Sequence, residues 1–326
     1  MLRVHKGFSL IEIMIALAIG LIVITMVLWV VQSARRASEQ NAQISTLQEN
    51  ARIALDVMEA DLRNAGRLSV RSLGQAFSSG SLLNTSNKTI LSSFLPIWGV
   101  KGNSAPSRAT IDSDSLSIAA TDPCWARTAT DMGSPQAPVS VFNPMLCAFD
   151  NKDFIIIEDM QDATLFRISG QRNGTLLHES PLNQLSGLSH AYPAGSWLTK
   201  LNIPTYQIKE NSASSRLELV SIDQLSGRQL YIAEGVIRLR FRYGYDEDND
   251  GAPDEFRLAH QIDALSWYKV KSVEMIILMQ EIQPSGMLPN QTVSFPNAVT
   301  GKDEVLQNTS GRLWKVFRRT VALRHS

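Results

Sequence analysis

A chain of 326 residues, 44% hydrophobic, with 31 Lys and Arg balanced by 31 Asp and Glu, is long enough for one or two packed cores. Its neutrality excludes a whole-protein field that would gather nucleic acid or an acidic membrane surface, so no direct nucleic-acid binding is expected. His178, His190 and His260 are scattered singly, no zinc-type Cys/His spacing occurs, and HExxH, GxSxG and phosphate-loop patterns are missing, so the chain is not expected to be an enzyme.

The first predicted element lies in "KGFSLIEIMIALAIGLIVITMVLWVV", residues 6–31. From Ile13 to Val31 no charged side chain occurs, and a helix over that stretch nearly crosses a bilayer core of about 30 Å. Glu12 stands at its start. A charge inside such a segment costs roughly 2.5–3.5 kcal/mol on insertion scales, less near an interface, so Glu12 calls for a partner. Arg3, His5 and Lys6 precede the run and favour a cytoplasmic amino terminus, although Arg35 and Arg36 follow it. Val31-Gln32-Ser33 is a mediocre secretory cleavage site, and an ordinary signal anchor explains neither Gly7 nor Glu12.

A basic leader, a glycine, a phenylalanine and a glutamate four residues on, as in "KGFSLIEIMIAL", resemble the class III leader of type IV prepilins. In that family a prepilin peptidase cuts after the glycine and methylates the new amino terminus. The resemblance implies cleavage between Gly7 and Phe8, N-methylation of Phe8, and a role in filament assembly for Glu12. Each position has a physical reason. Gly7 lets the backbone extend into a protease cleft. Glu12 sits one helical turn from the new amine and favours the positive end of the helix dipole. In low dielectric an unpaired carboxylate is costly, so pairing with the amine of a neighbouring subunit sets register.

The helix is predicted to continue. Between Arg35 and Arg63 there is no Pro or Gly, and Ile44, Leu47, Ala51, Leu55, Met58 and Leu62 recur at three- and four-residue spacing. Gly66 is the expected stop. Residues 69–150 form a Ser-, Gly- and Asn-rich insert with short strand-like pieces such as "DSLSIAAT". Within it "TDPCWARTATDMGSPQAPVSVFNPMLC" reads as a loop closed by Cys124 and Cys147. If the apolar segment delivers the chain across a membrane, these two meet an oxidising compartment and pair; two buried free thiols are the alternative. Strands follow at "FIIIED", "TLFRISG", "TYQIKE", "RLELVSI" and "QLYIAE". In "GVIRLRFRYGY" Ile237, Leu239, Phe241 and Tyr243 alternate with Arg238, Arg240 and Arg242, the pattern of a half-buried strand. Its arginine face suits either phosphates or neighbouring carboxylates. "VKSVEMIILMQ" and "LWKVFRRTVALR" close the chain.

"DEDNDGAPDE" carries the one chemical motif. Asp246, Asp248 and Asp250 at alternate positions, Gly251 and then Asp254 match the first part of a calcium loop. Its twelfth position is Arg257 rather than a bidentate glutamate, so an acidic hairpin tip is the other reading, turns favouring Asp, Asn and Gly. Ca2+ is the candidate cofactor.

Beyond the leader, "DLRNAGR", "TLFRISG", "LYIAEGVIRLRFRYGYDEDNDG" and "FRRTVALR" resemble PilW-type minor pilins, large subunits present in few copies. The long insert departs from the most compact members. The resemblance implies an α+β pilin fold: leader 1–7, transmembrane or filament-core helix 8–34, its amphipathic continuation 35–66, and a β-rich head 67–326 outside the inner membrane. It implies a subunit that primes pilus assembly at or near the tip and supports adhesion, twitching motility or DNA uptake through the filament. Its partners would be the prepilin peptidase, other minor pilins and the major pilin, the inner-membrane assembly platform and a tip adhesin. J-type pseudopilins of type II secretion share a similar plan and are the alternative; a calcium- or DNA-binding surface module is the alternative of another class.

Overall fold

A computed structural model describes residues 10–65, 97–100, 113–143, 146–179, 182–183, 187–263, 266–282 and 291–323. Its first element is a 55-residue helix, Leu10–Asn64, about 80 Å long at the standard rise. The two ends of this helix differ in surroundings. Residues 10–31 project away from the rest of the molecule, with Leu10 80% and Trp29 71% exposed. Leu47, Ala51, Ala54, Leu55, Met58 and Leu62 are buried. Their spacing repeats every three or four residues and so aligns them on one face. The sequence stripe is therefore present, with Ala54 added and Ile44 only half-buried at its edge. The proposed stop at Gly66 lies outside the described residues.

The buried stripe rests on two antiparallel sheets. One has five strands in the order Ile97–Val100, Ser115–Ile118, Pro204–Glu210, Leu217–Asp223 and Gln229–Glu234. The other has four, in the order Glu255–Arg257, Val236–Tyr245, Val270–Gln280 and Trp314–Ala322. Met58 and Leu62 share one core with Tyr206, Leu219, Val236, Leu239, Phe241, Met275 and Ile277. A long helix on an antiparallel sheet domain is the α+β plan expected from sequence.

From residue 120 on, the segment 69–150 read as an insert belongs to a larger unit, together with the strands expected at "FIIIED" and "TLFRISG". Residues 120–202 build a separate seven-stranded sheet, in the order Ala163–Arg167, Phe154–Glu158, Trp197–Asn202, Ala120–Thr128, Val139–Phe142, Thr175–Leu177 and Gly170–Arg172. "FIIIE" supplies both of its faces. Ile155 and Ile157 join Phe166, Leu176, Tyr192 and Leu198 on one side. Phe154 and Ile156 join Leu165, Leu201 and Ile203 on the other, where Trp98 of the five-stranded sheet and Leu225, in the turn after its strand Leu217–Asp223, pack against them. The cysteine segment is not one loop: Cys124 lies within the strand Ala120–Thr128, whose register with its neighbour slips between Thr121 and Trp125, and Val139–Phe142 pairs beside it.

The arginine strand, Val236–Tyr245, also differs from the simple alternation. Its pairing with Val270–Gln280 shifts between Val236 and Arg238. A bulge there changes the phase, because one extra residue moves all later side chains to the other face. Ile237 consequently packs with Ile276, Leu278 and Phe295, on the face opposite Leu239 and Phe241. That second face is covered by the hairpin Gln291–Pro296 and Asp303–Asn308. Arg240 is buried beneath it, paired with Asp114 at 2.6 Å and donating from Nε to the Pro296 carbonyl at 3.3 Å. Arg242 meets Glu274 at 2.6 Å. Of the two uses the sequence allowed for this arginine face, Arg240 and Arg242 make the pairing with carboxylates.

Candidate functional site

The amino-terminal part of the site is an apolar rod with one carboxylate. Gly7 and Phe8, the proposed cleavage and methylation positions, lie outside the described residues. Glu12 is exposed in the first turn of the helix, where its charge favours the positive end of the helix dipole. Leu10–Asn64 is long and apolar enough to cross a membrane, and none of its most apolar window is buried within the molecule. Aliphatic side chains cover every side of residues 10–31, so this rod can bury its surface only against lipid or other chains.

Further along, the helix is fastened to the head by polar contacts that its sequence did not reveal. Arg319, on the last strand, pairs with Asp56 and with Glu59 at 2.7 Å. The Arg319 hydrogen bond holds the Asp56 carboxyl below the usual value near 3.8. Glu59 also pairs with Arg63. The Tyr206 hydroxyl donates to Asp61 at 2.5 Å. Burial raises the Asp61 carboxyl, the Tyr206 bond opposing it, and burial beside Asp61 pushes the Tyr206 hydroxyl far up. Asn50 donates to the Glu234 carbonyl at 3.4 Å. These contacts fix the helix axially against the head. A sequence signal for them existed only in part: Arg319 sits in "FRRTVALR", while Asp56, Glu59 and Asp61 look like an ordinary solvated helix face.

Cys124 and Cys147 are bonded, with 5.7 Å between their Cα atoms. The Asn143 amide brackets Cys147, donating to its carbonyl at 2.9 Å and accepting from its N–H at 2.7 Å. The bond ties the strand Ala120–Thr128 to the chain leaving Val139–Phe142.

The acidic hairpin lies between the strands ending at Tyr245 and beginning at Glu255. Asp246, Asp248 and Asp254 each present a carboxylate oxygen, all within 4.8 Å of one another. Asp250 is not in that group; its Oδ1 accepts from the Ala252 N–H at 2.8 Å. Gly251, at φ +94°, takes a backbone conformation that side chains rarely adopt, and its N–H donates to Asp246 Oδ2 at 3.0 Å. Gly244 is required by space: a Cβ there would come 2.1 Å from Ser272 Oγ. Arg257 lies 3.8 Å over the Tyr245 ring and pairs with Glu247 and Glu255.

The hairpin is at the end of the head remote from the apolar rod. Asn50 of the helix meets Glu234, just before the strand Val236–Tyr245 begins. Asp56 and Glu59 meet Arg319, which is opposite Met275 and, through it, Phe241. Helix and strand advance together, and the strand reaches Asp246 after its last residue.

Residues 2–28 match the prokaryotic N-terminal methylation motif, and residues 205–325 match the family model of the type IV pilus-assembly protein W. The second match starts in the strand Pro204–Glu210 and runs through the four-stranded sheet; the seven-stranded sheet lies wholly before it. No curated protein and no solved structure matches the chain.

Proposed function

We infer that this chain, a PilW-type minor pilin of a type IV pilus by its leader and its C-terminal region, primes filament assembly and takes a place at or near the pilus tip. The observation that carries this reading is the apolar rod of residues 10–31, which its own head leaves uncovered and which bears one acid, Glu12, in its first turn. Prepilin peptidase removes residues 1–7 and methylates Phe8. Before assembly the rod anchors the subunit in the inner membrane, amino terminus in the cytoplasm and head in the periplasm. On assembly Glu12 accepts the amine of an adjoining subunit, and lipid around the rod gives way to the rods of other minor pilins and the major pilin. The inner-membrane assembly platform drives that exchange.

The seven-stranded sheet supports few copies and an end position, because it adds a second lobe that a closely repeated subunit would have to accommodate at every step. Adhesion, twitching motility and DNA uptake then belong to the filament, with a tip adhesin as a neighbour. The alternative, a J-type pseudopilin of type II secretion, is disfavoured by the match of the head to a pilus-assembly family. Intact-mass analysis of protein recovered from sheared surface filaments tests the reading: the mature chain should begin with N-methyl-Phe8. An intact Met1 terminus, or a start after Ser33, contradicts processing as a prepilin. Correct processing without recovery in surface filaments favours the secretion alternative.

A further inference from the structure

We propose that the hairpin 246–254 holds a calcium ion through Asp246, Asp248 and Asp254. Three oxygens within 4.8 Å of one another are the first observation. The second is independent of how many acids the loop contains. Asp246 is fully buried, and its Oδ1 has no hydrogen-bond partner among the described residues. Both protein groups that approach this carboxylate address the other oxygen: the Gly251 N–H at 3.0 Å and Lys271 Nζ at 3.7 Å. A buried oxygen left without a partner is disfavoured, more so when it carries charge, and native folds seldom retain one without a ligand.

Charge identifies the kind of ligand. Three carboxylates faced by the single ammonium of Lys271 leave two negative charges uncompensated, which a divalent cation neutralises. Glu247 and Glu255 do not alter this balance locally: their two charges are met by Arg257, which pairs with both, and by Lys269, whose Nζ donates to the Glu247 carbonyl at 2.8 Å. Size favours calcium. Its oxygens lie at about 2.3–2.6 Å, so two ligands of one ion are at most about 4.6–5.2 Å apart, and these three oxygens, all within 4.8 Å of one another, lie inside that limit. Magnesium demands near-ideal octahedral geometry at about 2.0–2.1 Å and gives up its water reluctantly, so it suits a set of three protein carboxylates less well. Asp248 and Asp254 are exposed, which leaves room for water in the remaining positions.

The ligand set differs from the sequence motif in an instructive way. Asp250 turns back to cap the Ala252 N–H, and Arg257 replaces the bidentate glutamate that would complete a tight loop. Both changes lower the number of anionic ligands, so the site belongs with weak extracellular sites, with a dissociation constant on the order of 10⁻⁴–10⁻³ M. The ion fastens the hairpin onto the four-stranded sheet at its end away from the membrane-anchoring rod.

The test uses the full chain in detergent and does not depend on any role in a pilus. Equilibrium dialysis with radioactive calcium should show one saturable site per chain. Asp248→Ala and Asp254→Ala should each weaken it at least tenfold; because Asp254 also accepts the Glu247 N–H at 2.7 Å, Asp254→Asn, which keeps an acceptor there, should weaken it likewise. Asp246→Asn, which keeps the shape and removes the charge, should do the same, with circular dichroism confirming the fold. Calcium at about 2 mM should raise the melting temperature of the wild type relative to chelator, and not that of the variants. The proposal is overturned by absence of saturable binding below about 10 mM, by variants that bind as the wild type does, or by magnesium competing as well as calcium.

Discussion

The two ends of one helix have opposite relations to the rest of the chain. Residues 10–31 are apolar all round and exposed, whereas 47–62 carry a single apolar stripe buried in the head. Helix propensity is common to both; what distinguishes them is the location of the partner. The stripe finds its partner in the same molecule and supports the fold. The rod finds none among the described residues, which leaves its apolar surface for lipid or other chains.

Substituting the same kind of side chain in each half sharpens this contrast most. Met58→Ala should destabilise the head by about 2–5 kcal/mol in chemical denaturation, since Met58 is fully buried among packed neighbours. Leu17→Ala removes a comparable side chain from the exposed half and should leave the head's unfolding unchanged. If both variants unfold alike, the division of labour along the helix is wrong.

Glu12→Ala tests the rod itself. It should insert in the membrane slightly better, by roughly 2.5 kcal/mol at most on insertion scales, yet be poorly recovered in sheared filaments. Next comes the disulfide: replacing Cys124 and Cys147 by Ser should cost about 3 kcal/mol on the loop-entropy account, and the loss should appear in the seven-stranded lobe, not at the helix. Hydrogen exchange would locate it.

The smallest effects concern the polar fastening. The folded-state value of Asp56 is lowered, chiefly by the Arg319 hydrogen bond, so its contribution is present above the ordinary carboxylate value near 3.8 and is lost as pH falls through the lowered one. Asp61 has the reverse sign. Burial raises it, so stability is greatest below 3.8 and declines as pH rises through the raised value. Thermal melts between pH 2 and 6 should therefore separate the two: Arg319→Ala should flatten the acid limb, and Tyr206→Phe, which removes the bond opposing the rise at Asp61, should extend the decline to higher pH.

Local information made the helix legible. The uninterrupted run to Val31 and the stripe from Leu47 to Leu62 are both periodic patterns within one element. The acidic turn was legible as a motif, though the sequence did not reveal that Asp250 would turn away or that Asp246 would be buried. Distant contacts hid the rest. Arg240 reads as solvated until a hairpin over 50 residues later covers it, and a bulge at Val236 reverses the side on which Ile237 lies. Asp56 and Arg319 are 263 positions apart, with nothing local in either to announce the pair. In 120–150, polar loops dilute short apolar strands, so composition suggested part of a Ser-, Gly- and Asn-rich insert, where pairing with the strands read at "FIIIED" and "TLFRISG" makes one sheet.

That lobe joins the head at one point of entry and along a packed seam, where Phe154, Ile156 and Leu165 meet Trp98 and Leu225. Ala120 and Asn202 are direct cross-strand partners, so the chain enters and leaves the seven-stranded sheet at one place. Whatever the lobe presents away from that seam can lengthen, shrink or change its outward face while the helix, its fastening and the remaining sheets keep their geometry. Variation of what the surface displays is thereby uncoupled from the machinery that must stay the same for the subunit to assemble.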